Sequence, residues 1–356
     1  MISRQLLNNI FSLQYPKLEN RIDLYDFLRG FAMMLVLLQH AVVPGWRYLC
    51  VFHMPLFFFL SGLLSGNRAL PSFGKYVCSR FKRLMIPYFV FGVIDVVLHT
   101  LLDLMYYHND YSLMGGLVGV LTGQIKYGGG VGIYWFLMTM FVADLLIYPV
   151  NKHLSNCVSI KWGGVFVFLL LSYCSSHWFD LSFITFDKSF MAAAFILIGG
   201  LCKPLANKLE DTNFRWFEPI LTLVGIIGVV VSRRLNEQTV LMYINQYGNY
   251  LWFFVGAVSG TLTSMLIGKY LFLVLKNKEG FIYRILMWMG FNSLVLFPVH
   301  LQIKVYIGRF IPFFAVGRNF YWILLLSVML LIGIPVCNFI NGYLPFMLGK
   351  AGSNIH

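Results

Sequence analysis

Apolar runs long enough to cross the roughly 30 Å of a bilayer's hydrocarbon as α-helices, about 20 residues each, recur along this chain from end to end. The qualifying segments are 27–44, 49–66, 85–106, 132–150, 163–179, 189–202, 217–232, 250–270, 285–307 and 319–342. Inside a membrane no water is present to satisfy the backbone, and a helix satisfies it within the segment. The chain therefore reads as all-α, a polytopic transmembrane bundle of about ten helices.

Composition rules out the soluble alternatives. Of the 356 residues 59% are hydrophobic and 12% charged, where a soluble domain carries about 25% charge. The net charge of +13 would suit a nucleic-acid binder, but the basic residues fall in short clusters between apolar runs. A nucleic-acid site gathers them on one soluble face; clusters beside spans meet anionic lipid headgroups and set orientation. We therefore expect membrane lipids as partners and no nucleic acid. Assigning the N-terminus, loops 67–84, 151–162, 203–216 and 269–284 and the tail to one face leaves only eight of the 27 Lys and Arg residues on the other. That bias places both termini in the cytoplasm.

Six scattered cysteines form no C-x-x-C pair, so neither a disulfide framework nor a metal site is expected. No signal peptide is evident. No loop is long enough for a soluble domain, and residues 1–356 read as one integral membrane domain. The stretch "LMGGLVGVLTG" within 107–131 is either a re-entrant or interfacial segment or an ordered loop. No internal repeat is visible, which weakens an inverted-repeat transporter.

Polar residues within the apolar runs are the candidates for function, because ionisable groups there are costly and usually face a bundle interior or wet cavity. In "DFLRGFAMMLVLLQHAVVP" Arg29 and His40 are eleven residues apart, hence within about 20° on one helix face and about 16 Å apart along it. Asp26 shares that face and can pair with Arg29 at i,i+3. The bland alternatives are an arginine snorkelling to headgroups and a histidine used for packing. In "FHMPLFFFLSGLL" His53 opens the second span, close in sequence to His40, and Pro55 sits in its first turn. "GKYVCSRFKRLMIPYF" places Arg80 and Arg83 three apart at the entry to the third span. They are either topogenic charges or a guanidinium pair on one face suited to bidentate phosphate binding. "YWFLMTMFVADLL" contributes Trp135, an interfacial anchor or cavity residue, and Asp144; "GFNSLVLFPVH" contributes Asn292, Ser293 and His300. Asp95 and Asp144 call for internal partners that the sequence does not name.

Together these pieces resemble the membrane acyltransferase-3 family. The likeness rests on D-x-x-R-G with the R-x10-H spacing of Arg29 and His40, the "FHMPLFFFLSGLL" run and the R-x-x-R pair Arg80/Arg83. Weaker echoes are "YWFLMTMF", "AFILIGGLCK" and "GFNSLVLFPVH", where Phe297 and Pro298 interrupt the run before His300. The resemblance implies a bundle of about ten helices in the cell's inner (cytoplasmic) membrane. It implies O-acyl transfer, commonly of acetyl from acetyl-CoA, to hydroxyls of a cell-surface carbohydrate or lipid-linked glycan such as O-antigen, capsule or exopolysaccharide. No permanently bound cofactor is implied; acyl-CoA is the donor substrate. His40 then corresponds to the catalytic position, as general base or as acylated nucleophile, and Arg29, Arg80 and Arg83 to the donor side. Asp26, His53, Trp135, Asn292 and His300 are expected as supporting or cavity residues. No C-terminal periplasmic esterase-like domain, found in some members, is expected here. A transporter or flippase for a lipid-linked sugar would need similar buried polar groups and is the competing reading.

Overall fold

The computed structural model describes residues 10–13, 15, 23–65, 70–107, 112–124, 131–153, 157–206, 215–310 and 320–350. Among these no strand occurs. The main helices are α1 (Asp23–His40), α2 (His53–Leu64), α3 (Phe73–Arg80), α4 (Ile86–Leu102), α5 (Leu113–Thr122), α6 (Val131–His153), α7 (Val158–His177), α8 (Phe186–Leu201), α9 (Phe217–Leu235), α10 (Tyr250–Leu275), α11 (Phe281–Phe310) and α12 (Tyr321–Tyr343). A π-helical turn, Phe81–Met85, joins α3 to α4.

Eight helical stretches among the described residues are long and apolar enough to span a membrane, which makes this a multi-pass membrane protein. The other two expected spans are also helices, α1 and α9, of 18 and 19 residues. Each carries charge in addition: Asp23, Asp26 and Arg29 on α1, and Glu218, Arg233 and Arg234 on α9. The 107–131 stretch resolves into a real helix, α5. Ser112 caps it by accepting a hydrogen bond from Gly115 N, and Gly123 ends it in a left-handed conformation, φ 69°. Residues 108–111 and 125–130 of that stretch lie outside the described residues.

The chain divides into two compact units. The first comprises Met1–Leu64, Cys202–Val240 and Tyr247–Ile340. Its central feature is the pairing of α1 with α11 through two glycines. A Cβ on Gly30 would lie 1.7 Å from the Leu286 carbonyl oxygen, and one on Gly290 would lie 1.9 Å from that of Asp26. The two backbones touch, as small residues allow between membrane helices. In the same unit α9 and α10 pack together, with Gly225 and Gly228 against Thr263 and Ser259. Their ends are joined by a buried ion pair: Lys269 Nζ lies 2.9 and 3.0 Å from the two Glu218 carboxylate oxygens, and Tyr270 donates to the same carboxylate. Lys269 is only 1% exposed. By charge alone it falls in the orienting 269–284 loop; it is a buried internal partner instead, because α10 continues well past it.

The second unit comprises Ser65–Leu201, Leu241–Gln246 and Asn341–His356. Tyr88 ties α4 to α5 by donating to the Val120 carbonyl at 2.7 Å. Ser189 joins α8 to the Thr139 carbonyl of α6. The C-terminal 3-10 turn Pro345–Leu348 lies beside the π turn, where Gly349 leaves no room for a Cβ against the Lys82 carbonyl. Lys188, counted by charge as an outer-face cation, is buried here and pairs with Asp187 through both carboxylate oxygens at 2.9 Å.

Candidate active site

The glycine contact sets the register of the first unit's polar face. Gly30 meets Gly290, and ten residues further along each helix His40 meets His300, their ring centroids 5.1 Å apart. Equal spacing on both helices means that α1 and α11 run parallel, with the imidazoles about 15 Å beyond the glycine contact. The R-G of the first helix thus has a mechanical role: a side chain at Gly30 would force α11 away and separate the two histidines.

At the near end of this face, Arg29 pairs with Asp26 at 3.5 Å, as the i,i+3 spacing predicts. Asp26 is 2% exposed, and the Arg29 side chain is three-quarters covered. At the far end His40, half-buried at the C-terminus of α1, is surrounded by His300, Lys304 and His53, which lie within electrostatic reach of it. His53 Nδ1 donates to the Leu49 carbonyl at 2.7 Å and His300 Nδ1 to the Leu296 carbonyl at 2.9 Å. A carbonyl only accepts, so each of these rings carries a proton on Nδ1 and in its neutral form presents Nε2 as a lone pair. His300 is fully buried, and its Nε2 has no hydrogen-bond partner among the described residues. Fixed tautomers with an unused basic nitrogen are what proton transfer requires.

Asn292 is not at this level. It lies about 12 Å back along α11 from His300, and its amide donates to the Trp288 carbonyl one turn away. Lys304 was missed in the sequence reading. The available signal was its position four residues after His300, which stacks the two on one helix face.

The second unit carries the other expected residues. Arg80 Nε lies 3.3 Å from Asp144 Oδ2, and its guanidinium stands 5.1 Å over the ring of Tyr76. Asp144 thereby gains the internal partner its burial demanded, and Asp95 gains His99 at 3.5 Å on the next turn of α4. The expected shared face for Arg80 and Arg83 is altered by the π turn, whose i→i+5 bonding rewinds the helix between them. Arg80 turns inward to Asp144, whereas Arg83 is exposed. Lys350, from the C-terminal segment, lies within electrostatic reach of Arg83, and burial and that neighbouring charge lower its pKa. Trp135, on α6, is 7% exposed and packs edge-on to Phe136, so its indole belongs to the unit's interior. Among the described residues no group of three or more His, Cys, Asp or Glu is placed to hold a metal ion.

A family model described as an acyltransferase domain matches residues 22–338. The chain is 29% identical over 142 residues to the Nodulation protein NolL of Sinorhizobium fredii (strain NBRC 101917 / NGR234), a match covering 36% of this chain and 36% of that protein. It is 29% identical over 147 residues to the Nodulation protein NolL of Mesorhizobium japonicum (strain LMG 29417 / CECT 9101 / MAFF 303099), covering 37% of each. The matched stretch thus spans little more than a third of these curated relatives. No solved structure matches the chain.

Proposed function

The chain belongs to the family that this acyltransferase domain defines, and on that premise we propose that it is an integral membrane O-acyltransferase, moving an acetyl or similar acyl group from acyl-CoA to a hydroxyl of a cell-surface or lipid-linked glycan. The observation that carries this reading is the His40–His300 pair, two imidazoles 5.1 Å apart on helices locked in register by Gly30 and Gly290. An imidazole titrates near neutral pH and exchanges protons readily. The acceptor hydroxyl gives its proton to an imidazole as its oxygen attacks the thioester carbonyl. The tetrahedral intermediate then collapses, the carbon–sulfur bond breaks, and the coenzyme A thiolate departs and takes up a proton. His40 receives the acceptor's proton, and His300, its tautomer held by the Leu296 carbonyl, presents a second basic nitrogen beside it.

The donor's phosphates fall to the arginines. A guanidinium binds phosphate bidentately, and Arg29, Arg80 and Arg83 are assigned to this role, with Asp26 and Asp144 orienting two of them. The basic bias of the loops supports placing both termini, and with them donor binding, on the cytoplasmic side of the inner membrane. Tyr76, stacked on Arg80, keeps that guanidinium aimed.

Purified protein incubated with radiolabelled acetyl-CoA and surface glycan tests the proposal. Labelled glycan is expected. Absence of both labelled glycan and labelled protein would favour the transporter or flippase reading. Label retained on the protein after removal of the acceptor would make His40 the acylated nucleophile rather than the base.

A further inference from the structure

The second unit holds a cavity of about 330 Å³ that none of the residues discussed as catalytic or donor-binding enters. Gln124 after α5, the α7–α8 connection and residues 243–245 close around it. Its volume is at the lower end of the ~300–1,000 Å³ typical of small-molecule sites. Asn245 lines the wall and is nine-tenths buried. Its Nδ2 donates to Ser175 Oγ at 3.4 Å, while its Oδ1 has no hydrogen-bond partner among the described residues. An unmatched buried amide oxygen is costly, and this one belongs to a residue of the cavity wall. The neighbouring Asp187 and Lys188 neutralise each other at 2.9 Å and offer polar atoms without net charge. Asp180 adds one carboxylate at the rim, and Phe179 and Tyr243 add aromatic faces. The backbone around the cavity is unusual as well: Ile184, Thr185 and Asn245 all have positive φ, of 52°, 57° and 59°. β-branched residues rarely adopt such angles.

This combination selects against most ligands. An anion would meet a neutralised lysine and a carboxylate, and a purely apolar ligand would leave Asn245 Oδ1 unmatched. A sugar ring fits: its hydroxyls donate to Asn245 and Asp180, and its C–H face stacks on an aromatic ring. We propose that this cavity is a saccharide-binding site that docks the acceptor glycan; the assignment of that role rests on the acyltransferase reading above. Its position is consistent with that role. Gly123 at the cavity's edge abuts Met138 of α6, whereas Asp144, which holds Arg80, lies about 9 Å further along the same helix. In the topology proposed from the loop charges, the connections that line the cavity fall on the outer face, where a surface glycan is found.

The test is binding without any acyl donor. Full-length protein in detergent is titrated with the methyl glycosides of glucose, galactose, mannose and N-acetylglucosamine and followed by saturation-transfer-difference NMR. At least one glycoside is expected to bind saturably, and Asn245→Gly and Tyr243→Ala are each expected to weaken that binding about tenfold, the loss of one good contact of about 1.4 kcal/mol. Glycine keeps the left-handed backbone at position 245, so the first variant removes only the amide. Tyr243 is partly exposed, and its truncation leaves the core intact. No glycoside binding to the wild type, or undiminished binding in both variants, would overturn the assignment. Sugar binding without acyl transfer would instead overturn the acyltransferase reading alone, while transfer with unchanged acceptor KM in both variants would overturn the cavity's role alone.

Discussion

Two polar pairs in the first unit are built to opposite ends. Glu218 and Lys269 join α9 and α10 with each carboxylate oxygen matched to the ammonium and Tyr270 added to the set. His40 and His300 join α1 and α11 at 5.1 Å, but the fully buried Nε2 of His300 has no partner among the described residues. In a low-dielectric interior a satisfied ion pair has no capacity left for a ligand and acts as a brace. An imidazole whose tautomer is fixed by a backbone carbonyl and whose other nitrogen is unused keeps its chemistry available. Burial of polar groups alone therefore does not identify the active site of a membrane helix bundle; an unmatched basic nitrogen beside a second imidazole is what sets this pair apart.

Breaking the brace should have the largest effect on stability. Lys269→Met leaves Glu218 buried and unpaired, with an expected loss of about 3–5 kcal/mol. The double variant Glu218→Leu/Lys269→Met should recover most of it. Thermal unfolding in detergent reads both; a harmless single substitution would mean the pair is not the brace described. Next, Gly30→Ala should destabilise by about 3 kcal/mol, the upper end for overpacking, because its methyl meets the Leu286 carbonyl directly. Acyl transfer should fall with it as the imidazoles separate. A Gly30→Ala protein with full activity and unchanged melting would contradict the register mechanism.

Substitution in the other pair should separate chemistry from stability. His300→Gln is expected to lower kcat about 100-fold, the lower range for removing a proton-transfer group, while the melting temperature holds. A shift in melting without loss of kcat would return His300 to packing. The smallest expected effect is at the donor side: Arg80→Gln should raise the donor KM about tenfold with little change in kcat, the signature of uniform binding energy. An unchanged KM would leave Arg80 as a structural partner of Asp144.

The helices were legible from hydropathy because a bilayer admits few alternatives. Even α1 and α9, with three charged residues each, were recognisable by length and periodicity. The Asp26–Arg29 pair followed from helical spacing alone. What pattern could not show was long-range pairing. His40 and His300 are 260 residues apart, and only the contact between Gly30 and Gly290 reveals that they share a level. Asp144 with Arg80 and Glu218 with Lys269 were hidden for the same reason, since an isolated span states that a charge needs a partner without naming it. The π turn between Arg80 and Arg83 was also hidden, because "RFKRLMIP" has no residue that demands i→i+5 bonding. The polar cavity is assembled from three connections distant in sequence, each of which alone reads as an ordinary loop.

The most direct measurement compares wild type with His40→Ala, at equal amounts of folded protein in the membrane, for transfer of radiolabelled acetyl from acetyl-CoA to surface glycan. Catalysis at the imidazole pair predicts that the wild type labels the glycan and that His40→Ala does not, with melting unchanged. Labelling by His40→Ala at the wild-type rate would contradict it.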